Sequence, residues 1–506
     1  QVLKAAGYWA AKRMAVDLVI LNEKSSSYIQ DLQGAIEDLV RKSQSAAGGG
    51  DATSQVFALR ADLLPPDTLA MLPAVARVTL HARAGNLARQ VARMQIAPGA
   101  QPPASLTALP AAAGKGAETA VTPPDLLFFN GFGGFDPRTN EYVILHQAEQ
   151  PLPAPWINVI ANAEFGTQCS AEGGGYTWFG NSREFQITPW SNDPVSDPPA
   201  EVFYVKDLSN GQVMSPCVQP KGLARGTFRT RHGFGYTIHE AEVGDVSLEL
   251  CIFVPVSGAA KISRLRIRSS SPQSRSFAVT AFADLVLGPS RSISAFHVAT
   301  EVDAETGALM ARNPWSQDSA ARTVFADMMG RQGTMSADRR AFLGAYGRLD
   351  TPAALLSPQG LNGKTGAGLD PCFALQQTVA VSAAARAEVT LVLGAGENTT
   401  AARAALTQYR AADVDGLLAE VRSFWRETVG KVQVDTPDAA TNVVLNGWLL
   451  YQALSCRMWG RAGAYQASGA FGFRDQLQDT MALVHAEPGL MRDQLLRCAG
   501  RQFVEG

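Results

Sequence analysis

The sequence predicts an α+β chain of several domains: helices, a linker, a large antiparallel sandwich, a linking helix and a second helical domain. Three observations carry that prediction. Apolar residues recur at helical spacing through the first hundred residues, alternate with period two over 125–396, and return to helical spacing from Ala401. The length of 506 residues alone would allow about three domains, a count that large β folds lower.

Residues 1–96 read as a helical region. Tyr28, Leu32, Ile36 and Leu39 form one stripe, ended by Gly48, Gly49 and Gly50. Leu69, Leu72, Val75, Leu87 and Val91 form another. Residues 97–124 are rich in Pro, Ala and Gly with few large apolar side chains, the composition of a linker. In the β region Val246, Leu248, Leu250, Ile252 and Val254 alternate, and Leu265 and Ile267 alternate with Arg264, Arg266 and Arg268. Val389, Leu391 and Leu393 close it. Residues 397–435 read as a helical linker, centred on 401–429. Thr436 before Pro437 then reads as an N-cap with proline at the first helical position. The next helix covers 438–459, with Val444, Leu445, Trp448, Leu449 and Gln452 on one face. After a loop rich in Gly and aromatics, helices are expected over 476–483 and 491–504.

Composition narrows function by exclusion. A net charge of −2 gives no bulk attraction to nucleic acid or anionic lipid. The six cysteines are far apart and form no C-x-x-C pair, so reduced and mostly buried thiols are expected, without a zinc site or disulfide framework. No apolar run reaches the roughly 18 residues of a membrane span, and no signal peptide is visible. Both ends read as cuts, so an internal piece of something longer is expected.

Two segments could carry chemistry. Residues 178–201, WFGNSREFQITPWSNDPVSDPPAE, gather Trp178, Trp190, Asn181, Arg183, Asn192, Asp193 and Asp197 in turn-rich sequence. Sugars present an apolar face and an edge of hydroxyls, so an aromatic platform beside carboxylates and amides suits them. A solvated loop whose Asp-Pro steps only make turns has the same composition. The second segment is GAFGFRDQLQD, residues 469–479. A helix here puts Asp475 and Asp479 on one face, with Arg474 and Gln478 able to hold either carboxylate. A carboxylic acid can protonate a departing glycosidic oxygen, yet acids also favour helix starts for dipole reasons. The glycines of Asn130-Gly131-Phe132-Gly133-Gly134 suit tight turns better than a phosphate loop. His232 and His239 read as hydrogen-bonded structural histidines, and no metal-ligand spacing occurs.

Together with GYWAAKRMAVDLVILNE (7–23), NGFGGFDPRTNEYVI (130–144), RHGFGYTIHE (231–240) and NGWLLYQALSCRMWGRAGAYQ (446–466), these segments resemble glycoside hydrolase family 94. That family holds cellobiose and chitobiose phosphorylases, and the resemblance is to the phosphorylase region of the cyclic β-1,2-glucan synthases. It implies a β-supersandwich over 125–396, a helical linker over 397–435, and the truncated start of an (α/α)6 barrel over 436–506. It also implies inverting cleavage of β-1,2-glucan by inorganic phosphate, with phosphate a substrate and no metal or organic cofactor.

By the same resemblance, the family's aromatic-Arg-Asp motif falls on Phe473, Arg474 and Asp475, making Asp475 the general acid with Asp479 in support. Phe473 stands where the disaccharide enzymes often carry Trp. The nonreducing-end sugar would be held from the 183–197 segment, by Asp197 first and Asp193 second, with Arg183 and Asn192. The family's phosphate-binding residues would lie beyond Gly506, so the isolated chain is expected to be inactive and poorly soluble. A glucosyltransferase and membrane-spanning parts would precede Gln1, in an inner-membrane protein whose present region is soluble and cytoplasmic. Other readings are a free-standing 1,2-β-oligoglucan or cellobiose-type phosphorylase, a hydrolase and a non-catalytic glucan-binding module.

Overall fold

A computed structural model of the chain describes residues 2–12, 14–23, 31–46, 55–93, 125–146, 151–344, 347–383, 385–470 and 472–505. The chain forms two compact units, Gln1–Ala108 and Leu109–Gly506.

The first unit is not wholly helical. Helices Val2–Ala11, Asp31–Ala46, Pro66–Val75 and Leu87–Arg93 accompany two strands, Leu18–Asn22 and Val56–Arg60. The strands pair in parallel from Leu18↔Val56 to Asn22↔Arg60. LVILN and VFALR are apolar runs too short to display a helical period, and the intervening helix supplies the crossover that parallel pairing needs. The expected stripe on Asp31–Ala46 is also displaced: Leu32 and Leu39 are exposed, while Gln33 and Val40 are buried. Gln33 takes the inner position because its amide accepts from Asn22 Nδ2 at 3.1 Å and donates to Glu37 at 2.8 Å. Tyr28, Gly48–Gly50 and the 97–124 linker lie outside the described residues.

The second unit is built on an antiparallel sheet of ten strands, a second of five and a third of three. The large sheet contains Thr227–Gly233, Tyr236–Val243, Val246–Phe253, Ala260–Ser269 and Arg386–Gly396 as consecutive neighbours. Its register places Leu250 opposite Leu265 and Leu265 opposite Val389, so the alternating residues form continuous rows. These rows pack against Phe277 and Val279 of Arg275–Asp284 and Leu375 of Pro371–Val381, both in the five-stranded sheet. The opposite face of the large sheet is covered as well. Tyr236, Ile238, Cys251, Phe253 and Ile262 pack on helical residues including Leu406, Val421 and Trp425. All six cysteines are free, and Cys169, Cys251, Cys372 and Cys498 are buried. No helix among the described residues is long and apolar enough to cross a membrane.

The helical linker is two helices, Thr399–Ala411 and Val414–Gly430, with Asn398 and Asp413 as N-caps. Asp413 accepts from Asp415 N and so restarts the helix where periodicity suggested one segment. The expected cap at Thr436 is a correction. Asp438 caps Ala439–Val443 by accepting from Ala440 N and Thr441 N, while Thr436 pairs with the Asn442 side chain. The helix continues through π-helical Val444–Trp448, Leu449–Gln452 and π-helical Ala453–Gly460. The wider turns shift its inner face, burying Leu450, Tyr451 and Leu454 and leaving Val444, Leu445 and Leu449 exposed. Phe473–Thr480 and Pro488–Ala499 follow, the last ending at Ala499 rather than Val504.

Candidate active site

The two segments singled out in the sequence meet. Asn181 joins them: its Oδ1 accepts from Arg183 N at 2.9 Å and Glu184 N at 3.0 Å, while its Nδ2 donates to Gly469 O at 2.8 Å. Gly469 has φ +54°, and a Cβ there would stand 2.1 Å from Asn181 Oδ1. Only glycine fits both the backbone conformation and the approach. Ser182 Oγ adds a 3.3 Å bond to Arg461 O. The loop that opens the Phe473–Thr480 helix is thereby tied to the sandwich.

The tryptophans do not form an open platform. Trp178 is 2% exposed and occupies space kept free by Gly166, where a Cβ would come within 2.2 Å of the indole. Trp190 is half-buried and packs with the same cluster as Val159, Tyr176 and Ala462. Both rings go into packing, because the strand pattern points Trp178 inward.

Arg183 is exposed, with Glu184 3.6 Å away, and Asn192 is exposed. Asp193 closes a turn by accepting from Val195 N at 3.1 Å, Ser196 N at 3.0 Å and the Ser196 hydroxyl. Those bonds, the Ser196 hydroxyl foremost, hold its carboxyl below the usual range. Asp197 has φ +43° and accepts from the Ser170 hydroxyl. Burial pushes its pKa up, against the lowering effect of that bond. A Cβ at Gly174 would overlap the Asp197 carboxylate, so this acid is seated against the hairpin before Gly175–Phe179. The hydrogen-bond partners of both aspartates therefore lie within the sandwich.

On the helical side Gly472 precedes Phe473–Thr480, and Asp475 sits in its first turn. Phe473, Arg474, Asp475 and Gln478 are exposed. Asp479 is on the same face as Asp475 and receives Arg457 Nε and Nη2, each at 2.9 Å. Gln476 faces inward and donates to Ala470 O at 3.2 Å, fixing the loop at the helix start. Arg457 and Gln476 lie inside the quoted segments 446–466 and 469–479 but were missed, because their roles are set by Asp479, 22 positions on from Arg457, and by the inward turn of Gln476 toward Ala470 O. A third omission is Lys261, which pairs with Glu201 and donates to Thr177 Oγ1 at 2.7 Å under the 178–201 segment. The supposed structural histidines behave as expected. His232 bonds Thr237 and Trp156 O, and His239 bonds Thr230. Asn130 Oδ1 accepts from Phe132 N and Gly133 N, each at 3.0 Å, in a turn. No group of His, Cys, Asp or Glu among the described residues is arranged to hold a metal.

The family description "Glycosyl hydrolase 94, supersandwich domain" matches residues 140–412, more than half of the chain. The chain belongs to glycosyl hydrolase family 94. The description "Glycosyl hydrolase 94 superfamily, catalytic domain" matches residues 424–506. Cyclic beta-(1,2)-glucan synthase NdvB of Rhizobium meliloti (strain 1021) is 38% identical over all of the chain, which covers 18% of that protein. N,N'-diacetylchitobiose phosphorylase of Vibrio furnissii is 25% identical over 74% of the chain and 47% of its own length. Solabiose phosphorylase of Paenibacillus borealis is 26% identical over 74% of the chain and 48% of its own length. The chain thus spans less than half of each of these relatives. Family 94 membership establishes the large antiparallel sheets as a supersandwich. The candidate residues sit on both sides of that division, 183–197 in the supersandwich match and 473–479 in the catalytic-domain match.

Proposed function

We propose that this segment is the inverting glycoside phosphorylase module of a cyclic β-1,2-glucan synthase. It cleaves β-1,2-glucan with inorganic phosphate, releases glucose 1-phosphate and limits glucan length. The observation that carries this reading is the exposed Phe473-Arg474-Asp475 turn, seated beside the sandwich through Asn181 and Gly469. Asp475 would give its proton to the glycosidic oxygen as the bond to the anomeric carbon breaks. A phosphate oxygen would attack that carbon from the opposite face, which inverts its configuration and removes the need for a second catalytic carboxylate.

Asp479, oriented by Arg457, would accept from sugar hydroxyls together with Gln478, and Arg474 would donate to them. From the sandwich side Arg183 and Asn192 are the exposed candidates for the nonreducing-end sugar. Asp197 first and Asp193 second would hold that sugar with them, Asp197 from its place against the Ser170 hairpin and Asp193 from the Val195–Ser196 turn. In the parent protein we place the module beside a glucosyltransferase and membrane-spanning parts, on the cytoplasmic side.

The test measures glucose 1-phosphate released from linear β-1,2-glucan by a protein carrying this chain within a complete barrel. Asp475→Asn should lower the rate about 10²–10⁴-fold. An aryl β-glucoside with an acidic phenol needs no proton donor, so the variant should recover most of its rate on that substrate. Equal loss on both substrates would make Asp475 a sugar-holding residue. Release of glucose without phosphate would overturn the reading.

A further inference from the structure

We propose that the cavity between the large sheet and the Val414–Gly430 helix is a second anion site, built for a doubly charged phosphoryl group, free or carried on a small molecule. The cavity has a volume of about 310 Å³ and is lined by Arg231, Arg264, Arg266, Arg422 and Arg426, with Glu249 and Asp415 as its carboxylates. Strand register builds one wall. Arg231 lies opposite Ile238, Ile238 opposite Cys251, and Cys251 opposite Arg264, so one row spans the sheet. Helical spacing builds the other, since positions 415, 422 and 426 share a face.

An ion-pair ladder fixing the helix to the sheet explains part of this charge. Asp415 Oδ1 accepts from Arg264 Nη1 at 2.5 Å and Arg266 Nη2 at 3.3 Å, and Glu249 accepts from Arg266 Nη1 at 3.2 Å. Arg231 is engaged through its terminal nitrogens with Glu141 and Glu240, at 3.0 and 3.2 Å. The ladder leaves a remainder. Arg264 is 2% exposed, yet its Nε has no hydrogen-bond acceptor among the described residues; Glu388 is 3.9 Å away. Arg231 Nε is likewise buried without an acceptor. Arg422, whose Cζ stands 4.6 Å over the Tyr236 ring, and Arg426 form no ion pair with any described residue.

Arg231 is paired with Glu141 and Glu240, Arg264 with Asp415, and Arg266 with Glu249 and, at 3.0 Å, Glu388, so the guanidinium groups left over for a ligand in the cavity are those of Arg422 and Arg426. Two accessible guanidinium groups without a carboxylate partner are ready donors for an anion that supplies several oxygens. Guanidinium forks match phosphoryl oxygens geometrically, and the volume leaves room for a carbon substituent. The site shares no residue with the 183–197 and 473–479 set, so it stands apart from the reading given above.

Arg422 and Arg426 are exposed on the helix, so Arg422→Gln with Arg426→Gln preserves the fold. Inorganic phosphate and glucose 1-phosphate should each raise the thermal midpoint of the intact protein and bind the double variant roughly tenfold more weakly. Asp475→Asn should leave that binding unchanged. Tighter binding of the ester would identify a carried phosphoryl group; equal binding would identify free phosphate. Crystals soaked in arsenate should show anomalous scattering in the cavity beside Arg264. An empty cavity, or unchanged affinity in the double variant, would overturn the proposal.

Discussion

The sandwich and the helical segment after Asp438 bury their apolar residues very differently. In the sandwich Leu265, Phe277, Val279 and Leu393 are wholly buried between its sheets. In the helical segment Leu449, Met481, Leu495 and Leu496 are 49%, 65%, 42% and 54% exposed. Part of what these helices bury is held by strands: Tyr451 Oη lies 2.8 Å from Asn158 Oδ1 and 2.9 Å from Val159 O, sharing its proton between them, and Ser455 Oγ donates to Val159 O. Tyr451 and Trp459 also pack on Trp425 of the Val414–Gly430 helix. The sandwich supplies its own order, whereas these helices take part of theirs from it. The Phe473-Arg474-Asp475 turn therefore owes its placement to contacts made by residues with no catalytic chemistry, Asn181 and Asn158 among them.

Acid should separate the two regions most sharply. His146, His232 and His239 are held in the sandwich with pKa values lowered by burial to about 4, about 4 and about 3. Their unfolded values lie near 6.5, so between pH 6.5 and 4 the unfolded chain binds more protons than the folded one. Stability is then full above pH 6.5 and falls as pH decreases, by as much as about 4 kcal/mol per pH unit for three imidazoles. Thermal unfolding followed by strand-sensitive circular dichroism from pH 7 to 4.5 checks this, and His239→Gln should remove about one third of the slope. A sandwich whose midpoint is flat over that range would contradict neutral buried imidazoles.

Truncation compares the two apolar surfaces directly. Phe277→Ala should cost about 3–5 kcal/mol, because it removes a fully buried ring between packed sheets. Leu496→Ala should change stability by less than about 0.5 kcal/mol, since that side chain is half in water. Urea unfolding of both variants gives the difference, and similar losses would mean that the exposed helical face is covered in solution.

The same contrast explains what could be read without coordinates. Period-two runs such as 246–254 are legible because each residue's face is fixed by its neighbours. The five-residue strands Leu18–Asn22 and Val56–Arg60 were hidden, since their pairing is set by a partner 38 positions away. The two candidate segments stood out by composition, but Trp178 could not be told from a binding platform because burial depends on what faces it. Arg457 and Lys261 act on Asp479 and Glu201 across 22 and 60 positions, distances at which no local pattern operates.

The start of the helical segment gives the smallest and most local test of these limits. Thr-Pro is a good cap signal, and Thr436 before Pro437 satisfies it, yet Asp438 accepts from Ala440 N at 3.1 Å and Thr441 N at 3.2 Å. Asp438 also takes the Thr441 hydroxyl, and these bonds, the hydroxyl first, lower its carboxyl pKa. Thr436 instead closes the approach to the helix, donating from N and Oγ1 to Asn442 Oδ1 at 2.9 and 2.7 Å while its carbonyl accepts from Asn442 Nδ2 at 3.0 Å. Asp438→Ala should cost about 1 kcal/mol, the usual loss for removing a side-chain cap, and Asp438→Asn should restore most of it. Thr436→Ser keeps the hydroxyl and should be nearly silent. If Thr436→Ala proved costly while Asp438→Ala did not, the first turn would begin two residues earlier, and the π-helical turns that set the Leu450, Tyr451 and Leu454 face would need a different origin.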